Sequence, residues 1–142
     1  MNKLYVLDSF AILALLNDEP GAVRVDELLH QAKEGKAQVF MSLINLGEVL
    51  YVVERRWGKE RLRSMLAYLD ATDLKWVEAD RGRVLAAAHI KATYPLAYAD
   101  AFCISLACDL DATIITSDPE FRLLSELVVI EWLPQKSKVP GE

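Results

Sequence analysis

Apolar residues along the chain alternate between short continuous runs and longer stretches in which they recur every three or four positions. Short apolar runs bounded by polar or turn residues are typical of buried strands, and the longer spacing is typical of helices. The pattern predicts strands at residues 4–7, 38–41, 74–77, 113–116 and 128–132. It predicts helices at residues 10–16, 22–33, 43–57, 59–71, 80–93 and 98–110, and a short helix beginning at 118.

Strands that alternate with helices along a chain form a parallel sheet with helices on both faces. The predicted fold is therefore an α/β three-layer domain with a central parallel sheet of about five strands. Gly35 and Gly58 each end a helical pattern, and Ser42 is a typical N-cap for the helix that follows it. We find no repeat, low-complexity segment or linker, so we expect a single domain over residues 1–134 and a flexible tail at 135–142.

Composition narrows the class of protein. The chain has 142 residues, of which 53% are hydrophobic, and this is enough for one core. It contains no signal peptide and no apolar run near the roughly 20 residues that span a bilayer, so we expect a soluble, cytoplasmic protein. Cys103 and Cys108 lie five apart in one predicted helix, where they cannot pair, and are expected to be small buried hydrophobic residues.

The net charge of −5 argues against a protein that coats nucleic acid by bulk electrostatic attraction. It is compatible with a nuclease, because divalent cations can reverse the sign of the potential inside a pocket of carboxylates. The net charge alone therefore does not exclude an enzyme that acts on nucleic acid.

Two acidic residues stand at the ends of predicted strands. Asp8 is the last residue of the first strand, and Asp118 lies just beyond the fourth. Parallel α/β sheets carry functional groups at the carboxyl ends of their strands, so both acids are expected at one edge of the sheet. Each also has a structural explanation, because Asp8 could cap the following helix and Asp118 before Pro119 is a typical N-cap sequence.

Two further acidic residues lie on mainly apolar helices. Asp100 is in the helix 98–110, and Glu48 is flanked one turn away by Ile44 and Val52. A carboxylate in such a place needs the dipole of a helix start or a compensating cation, and Arg55 is an alternative partner for Glu48. Four crowded carboxylates repel one another unless a metal ion neutralises them. Their oxygen ligands suit Mg²⁺ or Mn²⁺, which usually serve phosphate chemistry.

Four sequence stretches carry a resemblance to a known family. They are YVLDSFAILALL at residues 5–16, MSLINLGEVLY at 41–51, YPLAYADA at 94–101 and ATIITSDPEF at 112–121. In their order and spacing they resemble PIN-domain ribonucleases and, among these, the VapC toxins of prokaryotic toxin–antitoxin pairs. The resemblance extends over roughly residues 4–133.

The resemblance implies a role for each matching residue. Asp8, Glu48, Asp100 and Asp118 correspond to the acidic quartet that holds Mg²⁺ or Mn²⁺, and Thr116 corresponds to a hydroxyl residue that orients the site. Asn45 matches a polar residue often found one turn before the glutamate. The chain departs from the family at Phe10, where a serine or asparagine is common, and has a hydroxyl at Ser9 instead.

The resemblance also implies an activity and partners. We expect a Mg²⁺- or Mn²⁺-dependent endoribonuclease that hydrolyses RNA phosphodiester bonds, with a water activated by the ion or by a free carboxylate as the nucleophile. As a toxin it would form a homodimer and be silenced by a small antitoxin protein. A self-complementary apolar patch for the homodimer is expected on the helix 43–57, from Leu43, Val49, Leu50 and Val53 with Tyr51 and Trp57 nearby.

The best candidate for RNA binding is a basic stretch that contains Arg55, Arg56, Lys59, Arg61 and Arg63. The alternative is a solvated helix face with Trp57 in the core. His30 and His89 lie outside the motifs and are expected at the surface.

Two other functions fit parts of the sequence. A phosphotransfer receiver or metal-dependent phosphatase also carries acids at strand ends, but a receiver needs paired acids after the first strand, where this chain has Ser9 and Phe10. A catalytically silent PIN-like module that binds RNA or protein is the other alternative. The complete acidic quartet argues against such a degenerate domain.

Overall fold

Five parallel strands form the centre of the fold in the computed structural model, which describes residues 2–135. The strands are β1 Lys3–Leu7, β2 Ala37–Ser42, β3 Lys75–Val77, β4 Thr113–Thr116 and β5 Ile130–Trp132. Their order across the sheet is β3-β2-β1-β4-β5, and every neighbouring pair is parallel. The predicted α/β fold with a parallel sheet of about five strands is confirmed.

Six α-helices and one 3₁₀ helix connect the strands. They are α1 Ser9–Leu16, α2 Ala22–Lys33, α3 Leu43–Trp57, α4 Lys59–Asp70, α5 Arg81–Thr93, α6 Tyr98–Leu110 and the 3₁₀ helix Pro119–Leu124. Each predicted helix is present, with ends within one or two residues. Strand β5 begins two residues later than predicted, because β4 is only four residues long and its register pairs Ile114 with Ile130.

A separate hydrophobic cluster covers each face of the sheet. Successive strand residues point to opposite faces, so Tyr5 and Leu7 contribute to one cluster and Val6 to the other. The first cluster is completed by α1 to α4, and the second by α5, α6 and the 3₁₀ helix. These three layers explain why the strands are apolar on both sides.

The strand order creates a switch point at the centre of the sheet. From β1 the chain moves outward to β2 and β3, and it then crosses back so that β4 pairs with the other side of β1. The carboxyl ends of β1 and β4 are therefore adjacent, and the connections that follow them depart in different directions. Open α/β sheets bind ligands in the crevice at such a switch point.

Several expectations about single residues can now be assessed. Cys103 is buried as expected, but Cys108 is exposed, because α6 emerges from the core after Ala107. His30 and His89 are exposed, as predicted. Within residues 2–135, none of the helices combines the length and the apolar character needed to cross a bilayer. Apart from residue 135, the predicted tail lies outside the described residues.

The predicted self-complementary patch on α3 is wrong in its composition. Val49 and Val53 are buried in the first hydrophobic cluster together with Leu46, because residues spaced by three and four positions face the sheet. Leu50 is only partly buried, and Leu43, Tyr51 and Trp57 are exposed. The apolar surface that remains on α3 is therefore smaller than the sequence indicates, and Trp57 is not a core residue.

Candidate active site

Asp8 follows directly on β1 and is 1% exposed. Its Oδ1 accepts a hydrogen bond of 2.9 Å from the backbone N–H of Ala11, which caps the start of α1. Its Oδ2 accepts a hydrogen bond from the hydroxyl of Thr116 at the end of β4. The carboxylate therefore joins the two strand ends at the switch point.

Thr116 connects Asp8 with Asp118. The Thr116 side chain is fully buried, and besides donating to Asp8 its hydroxyl oxygen accepts a 2.9 Å hydrogen bond from the backbone N–H of Asp118. Asp118 Oδ1 in turn accepts a 3.0 Å hydrogen bond from the N–H of Glu120 and caps the 3₁₀ helix. One threonine thus determines the relative position of two predicted site residues.

Glu48 projects from α3 toward α1 and α6. Its Oε1 accepts a 2.5 Å hydrogen bond from the hydroxyl of Ser9 and a 3.4 Å hydrogen bond from Asn45 Nδ2. The Asn45 amide also donates 3.1 Å to the carbonyl of Ala99, the residue before Asp100. These contacts tie Glu48 to the residue after Asp8 and to the start of α6.

The alternative hypothesis that Glu48 pairs with Arg55 is wrong. The guanidinium of Arg55 lies 5.0 Å from the ring centroid of Tyr51, and the acceptor oxygen of Glu48 is engaged by Ser9 and Asn45. Phe10, where the chain departs from the family pattern, is exposed, and the hydroxyl of the neighbouring Ser9 contacts Glu48.

Asp100 lies in the first turn of α6 and is 7% exposed. A carboxylate oxygen of Asp100, one of Asp118 and one of Glu120 all lie within 4.8 Å of one another. Glu120 is an acid that sequence analysis missed, although it stands two residues after Asp118 in the Asp-Pro-Glu sequence. The sequence predicts no contact for the Ser9 hydroxyl, because its contact with Glu48 depends on the packing of α1 against α3.

Burial and mutual repulsion raise the proton affinity of two of these acids. Burial is the largest cause that raises the pKa of Asp8 from 3.8 to about 7; hydrogen bonds from Thr116 and Ala11 oppose the rise, and the charges of Asp100 and Asp118 add to it. The pKa of Asp100 is also raised to about 7, first by burial and then by the charges of Asp118, Glu48 and Glu120.

Cys103 follows Asp100 by three residues and is fully buried. Burial, and then the charges of Asp8, Asp100 and Glu48, raise the pKa of its thiol well above the usual value. The side chain therefore stays a neutral thiol and is not a thiolate ligand for a soft metal. The donor set of the site consists of oxygen atoms.

These residues fit a hard divalent cation. Within residues 2–135, no lysine, arginine or histidine forms a salt bridge with the acids of the site. The three carboxylate oxygens lie within 4.8 Å of one another, and opposite ligands of one Mg²⁺ ion are separated by roughly 4 Å. An ion at this place would supply the missing positive charge, and oxygen ligands select Mg²⁺ or Mn²⁺ over zinc.

The chain is also similar to known proteins. A sequence model of the PIN domain matches residues 5–127. Among curated protein sequences, none matches the chain significantly.

Solved structures with a similar fold include complexes of the VapBC type. The crystal structure of VapBC2 from Rickettsia felis bound to a DNA fragment from their promoter contains a chain with 19% identity and a TM-score of 0.74, and the match covers 92% of this chain and 99% of that one. For DNA-bound VapBC from Salmonella typhimurium the identity is 20% and the TM-score is 0.70, with 92% and 98% covered.

Mycobacterium tuberculosis VapC20, a Sarcin-Ricin loop cleaving toxin, has 18% identity and a TM-score of 0.70, with 92% and 99% covered. At these identities the similarity establishes the fold. Because the family match extends over most of the sequence and the fold agrees with it, this chain belongs to the PIN domain family.

Proposed function

We propose that this protein is a Mg²⁺- or Mn²⁺-dependent endoribonuclease that hydrolyses RNA phosphodiester bonds. The observation that carries the proposal is the group of buried carboxylates at the switch point of the sheet, which no basic side chain within residues 2–135 compensates. Membership of the PIN domain family supports it.

In this proposal Asp8, Asp100 and Asp118 hold the ion, and Glu48 completes the site directly or through water. Glu120 is an additional carboxylate beside Asp100 and Asp118. When bound, a divalent ion activates water and offsets the negative charge of the attacked phosphate.

The protein groups around the ion have two tasks. Thr116 holds Asp8 and the backbone of Asp118 in a fixed relation, while Ser9 and Asn45 hold Oε1 of Glu48. In this proposal the second carboxylate oxygen of Glu48 accepts the proton of the attacking water. A residue that positions a proton acceptor in this way contributes to rate through geometry.

We further propose that the enzyme is the toxin of a toxin–antitoxin pair, acts in the cytoplasm as a homodimer, and is inhibited by a small antitoxin protein. Two of the structures of similar fold are VapBC complexes bound to DNA, which supports this proposal. An antitoxin that offers a basic side chain to the carboxylates would compete with the metal ion for the same negative pocket. Light scattering on the purified protein tests the homodimer, and a strictly monomeric mass would contradict it.

A cleavage assay tests the proposed activity. We expect the purified protein to cut single-stranded RNA with Mg²⁺ or Mn²⁺ and to lose this activity in EDTA. Asp100→Asn should lower the rate by on the order of 100-fold or more, because the substitution removes a charged ligand from the reacting centre. The matched control is Asp109→Asn, which removes an exposed carboxylate from the same helix.

Three results would contradict the proposal. Cleavage that survives EDTA would exclude a metal-dependent mechanism, and equal activity of both variants would point to a contaminating ribonuclease. Hydrolysis of p-nitrophenyl phosphate without RNA cleavage would favour the phosphatase alternative.

A further inference from the structure

The basic stretch at the junction of α3 and α4 contrasts with the acidic protein around it. Arg55, Arg56, Lys59, Arg61 and Arg63 are all exposed, while the whole chain carries a net charge of −5. Two aromatic residues of α3 lie among these cations and are also exposed, Tyr51 at 49% and Trp57 at 37%. The stretch is therefore a positively charged surface that also carries aromatic rings. None of its residues belongs to the candidate active site described above.

Helix geometry divides this surface into two sides. Arg55 follows Glu48 by seven residues, which places it within about 20° of Glu48 around the helix axis and about 10 Å farther along α3. Tyr51 follows Glu48 by three residues and lies on the same side. Trp57 follows Glu48 by nine residues, which places it on the opposite side of the helix.

The neighbours of Trp57 agree with this division. Trp57, Arg56 and Arg61 line a groove together with Leu16 and Pro20, which belong to the end of α1 and the connection to α2. The guanidinium carbons of Arg56 and Arg61 lie 5.0 and 6.0 Å from the centroid of the Trp57 ring. This part of the basic stretch faces the α1–α2 connection, where Asp18 and Glu19 also line the groove, and none of the four predicted site acids does.

Tyr51 and Arg55 form a different arrangement on the Glu48 side. The Arg55 guanidinium carbon lies 5.0 Å from the Tyr51 ring centroid, so the cation and the ring stabilise each other's position. A guanidinium held in this way keeps its N–H donors free for phosphate oxygens, and an exposed ring offers a surface on which a base can stack. Proteins that bind single-stranded nucleic acid combine these two features.

We infer that Tyr51 and Arg55 extend the active site along α3 and bind single-stranded RNA on one side of the scissile phosphate. The inference rests on the proposed ribonuclease function and names where its substrate lies. The distance of about 10 Å from Glu48 to Arg55 corresponds to roughly three nucleotides at a stacked rise of 3.4 Å. An acidic peptide would satisfy Arg55 but would not need the ring of Tyr51.

Binding of a labelled RNA tests the inference. The probe is a short fluorescent single-stranded oligoribonucleotide of mixed sequence, and every variant carries Asp100→Asn so that the RNA stays intact. We expect Arg55→Ala to weaken binding about tenfold and to lower the slope of log affinity against log salt by about 0.7, the value for one phosphate contact with a single strand.

Tyr51→Ala should weaken binding by about the same factor while leaving the salt slope unchanged. Tyr51→Phe should keep the full RNA affinity, because the ring is kept. Arg81→Ala is the matched control, since Arg81 is an exposed arginine at the start of α5. Arg61→Ala should have a smaller effect than Arg55→Ala, because Arg61 lies in the Trp57 groove.

The outcomes separate this inference from the proposed function. If the wild-type protein cleaves RNA but Arg55→Ala binds it as tightly as Arg81→Ala does, the inference alone is wrong. If the wild-type protein does not cleave and the Asp100→Asn protein does not bind the probe, the proposed function fails as well. Binding of a poly-glutamate peptide that depends on Arg55 and not on Tyr51, with equal or higher affinity than the RNA, would assign the surface to an acidic protein partner instead.

Discussion

At the scale of the single residue, the carboxylate of Asp8 makes two separate contacts. One oxygen caps α1 and the other contacts Thr116, so the capping explanation is correct and is compatible with a place in the candidate site. The same holds for Asp118, which caps the 3₁₀ helix and lies beside Asp100. A side chain between a strand end and a helix start can do both, because a carboxylate has two oxygens and the helix start leaves N–H groups unpaired.

The contact between Thr116 and Asp8 leads to a prediction about metal affinity. Thr116→Val preserves the shape of the side chain but removes the hydroxyl that donates to Asp8 and accepts from the Asp118 N–H. We expect Mg²⁺ affinity to fall by about 10- to 100-fold, as is typical when a group that orients a metal ligand is lost. Isothermal titration calorimetry measures the effect. Thr113→Val, at the other end of β4, is the control, and an equal affinity of the two variants would contradict the orienting role.

At the scale of the element, α3 carries different chemistry on each of its sides. Val49 and Val53 face the core, Asn45 and Glu48 face the candidate site, and Trp57 faces the α1–α2 connection. The helix ends at Gly58, whose φ of 87° and ψ of 175° belong to a region that side chains with a Cβ atom rarely adopt. Glycine at this position therefore allows α4 to begin immediately after α3.

Two glycine substitutions in this region should have opposite effects on stability. Gly58→Ala should lower the free energy of unfolding by about 1–3 kcal/mol, because alanine is strained at this backbone conformation. Gly47→Ala should raise it by about 0.5–1 kcal/mol, because Gly47 lies within α3 and a Cβ there would occupy open space. Urea denaturation of both variants measures the two changes. Equal effects of the same sign would show that the end of α3 is not set by Gly58.

At the scale of the whole molecule, the strand order brings the acids together. Asp8 and Thr116 come from neighbouring strand ends, although 108 positions separate them in the sequence. Glu48 and Asp100 are carried to the same edge by α3 and α6, which pack against each other. The negative charge that results is a cost to the folded state, since both Asp8 and Asp100 bind protons more tightly when folded.

This charge makes the stability of the metal-free protein depend on pH. The pKa values of Asp8 and Asp100 are raised from 3.8 to about 7 in the folded state. Their contribution to the free energy of unfolding is therefore most favourable below pH 4 and is lost as the pH rises toward about 7. We expect the melting temperature in EDTA to fall over this range. Excess Mg²⁺ should reverse the fall near pH 7, because the ion binds only the folded site.

Asp100→Asn provides the control for this dependence. It should preserve or raise the melting temperature in EDTA near neutral pH and reduce its fall with pH, because one repelling charge is absent. It should also weaken the response of the melting temperature to Mg²⁺, because Asp100 is a proposed ligand of the ion. Thermal unfolding followed by circular dichroism at several pH values measures all three effects. A wild-type protein whose melting temperature rises between pH 4 and 7 in EDTA would contradict the prediction, and a marked drop in Asp100→Asn would indicate a structural role for Asp100.

The sequence by itself determined the elements, the parallel sheet and the fact that two acids follow strand ends while two others lie on mainly apolar helices. These features depend on short-range rules, namely the period of apolar residues, the glycine at a helix end and the position of a polar residue after a strand. Asp8 and Asp118 could be assigned to one edge of the sheet for the same reason, because parallel strands have their carboxyl ends on one side.

The tertiary structure alone decided which side chains meet. The contact of Ser9 with Glu48, the position of Glu120 beside Asp100, and the exposure of Cys108 and Trp57 all depend on how helices pack across the sheet. The burial of Val49 and Val53 and the raised pKa values of Asp8 and Asp100 depend on neighbours from other elements as well. Such neighbours are set by strand order, register and helix rotation, which are properties of the whole chain and leave no local pattern in the residues concerned.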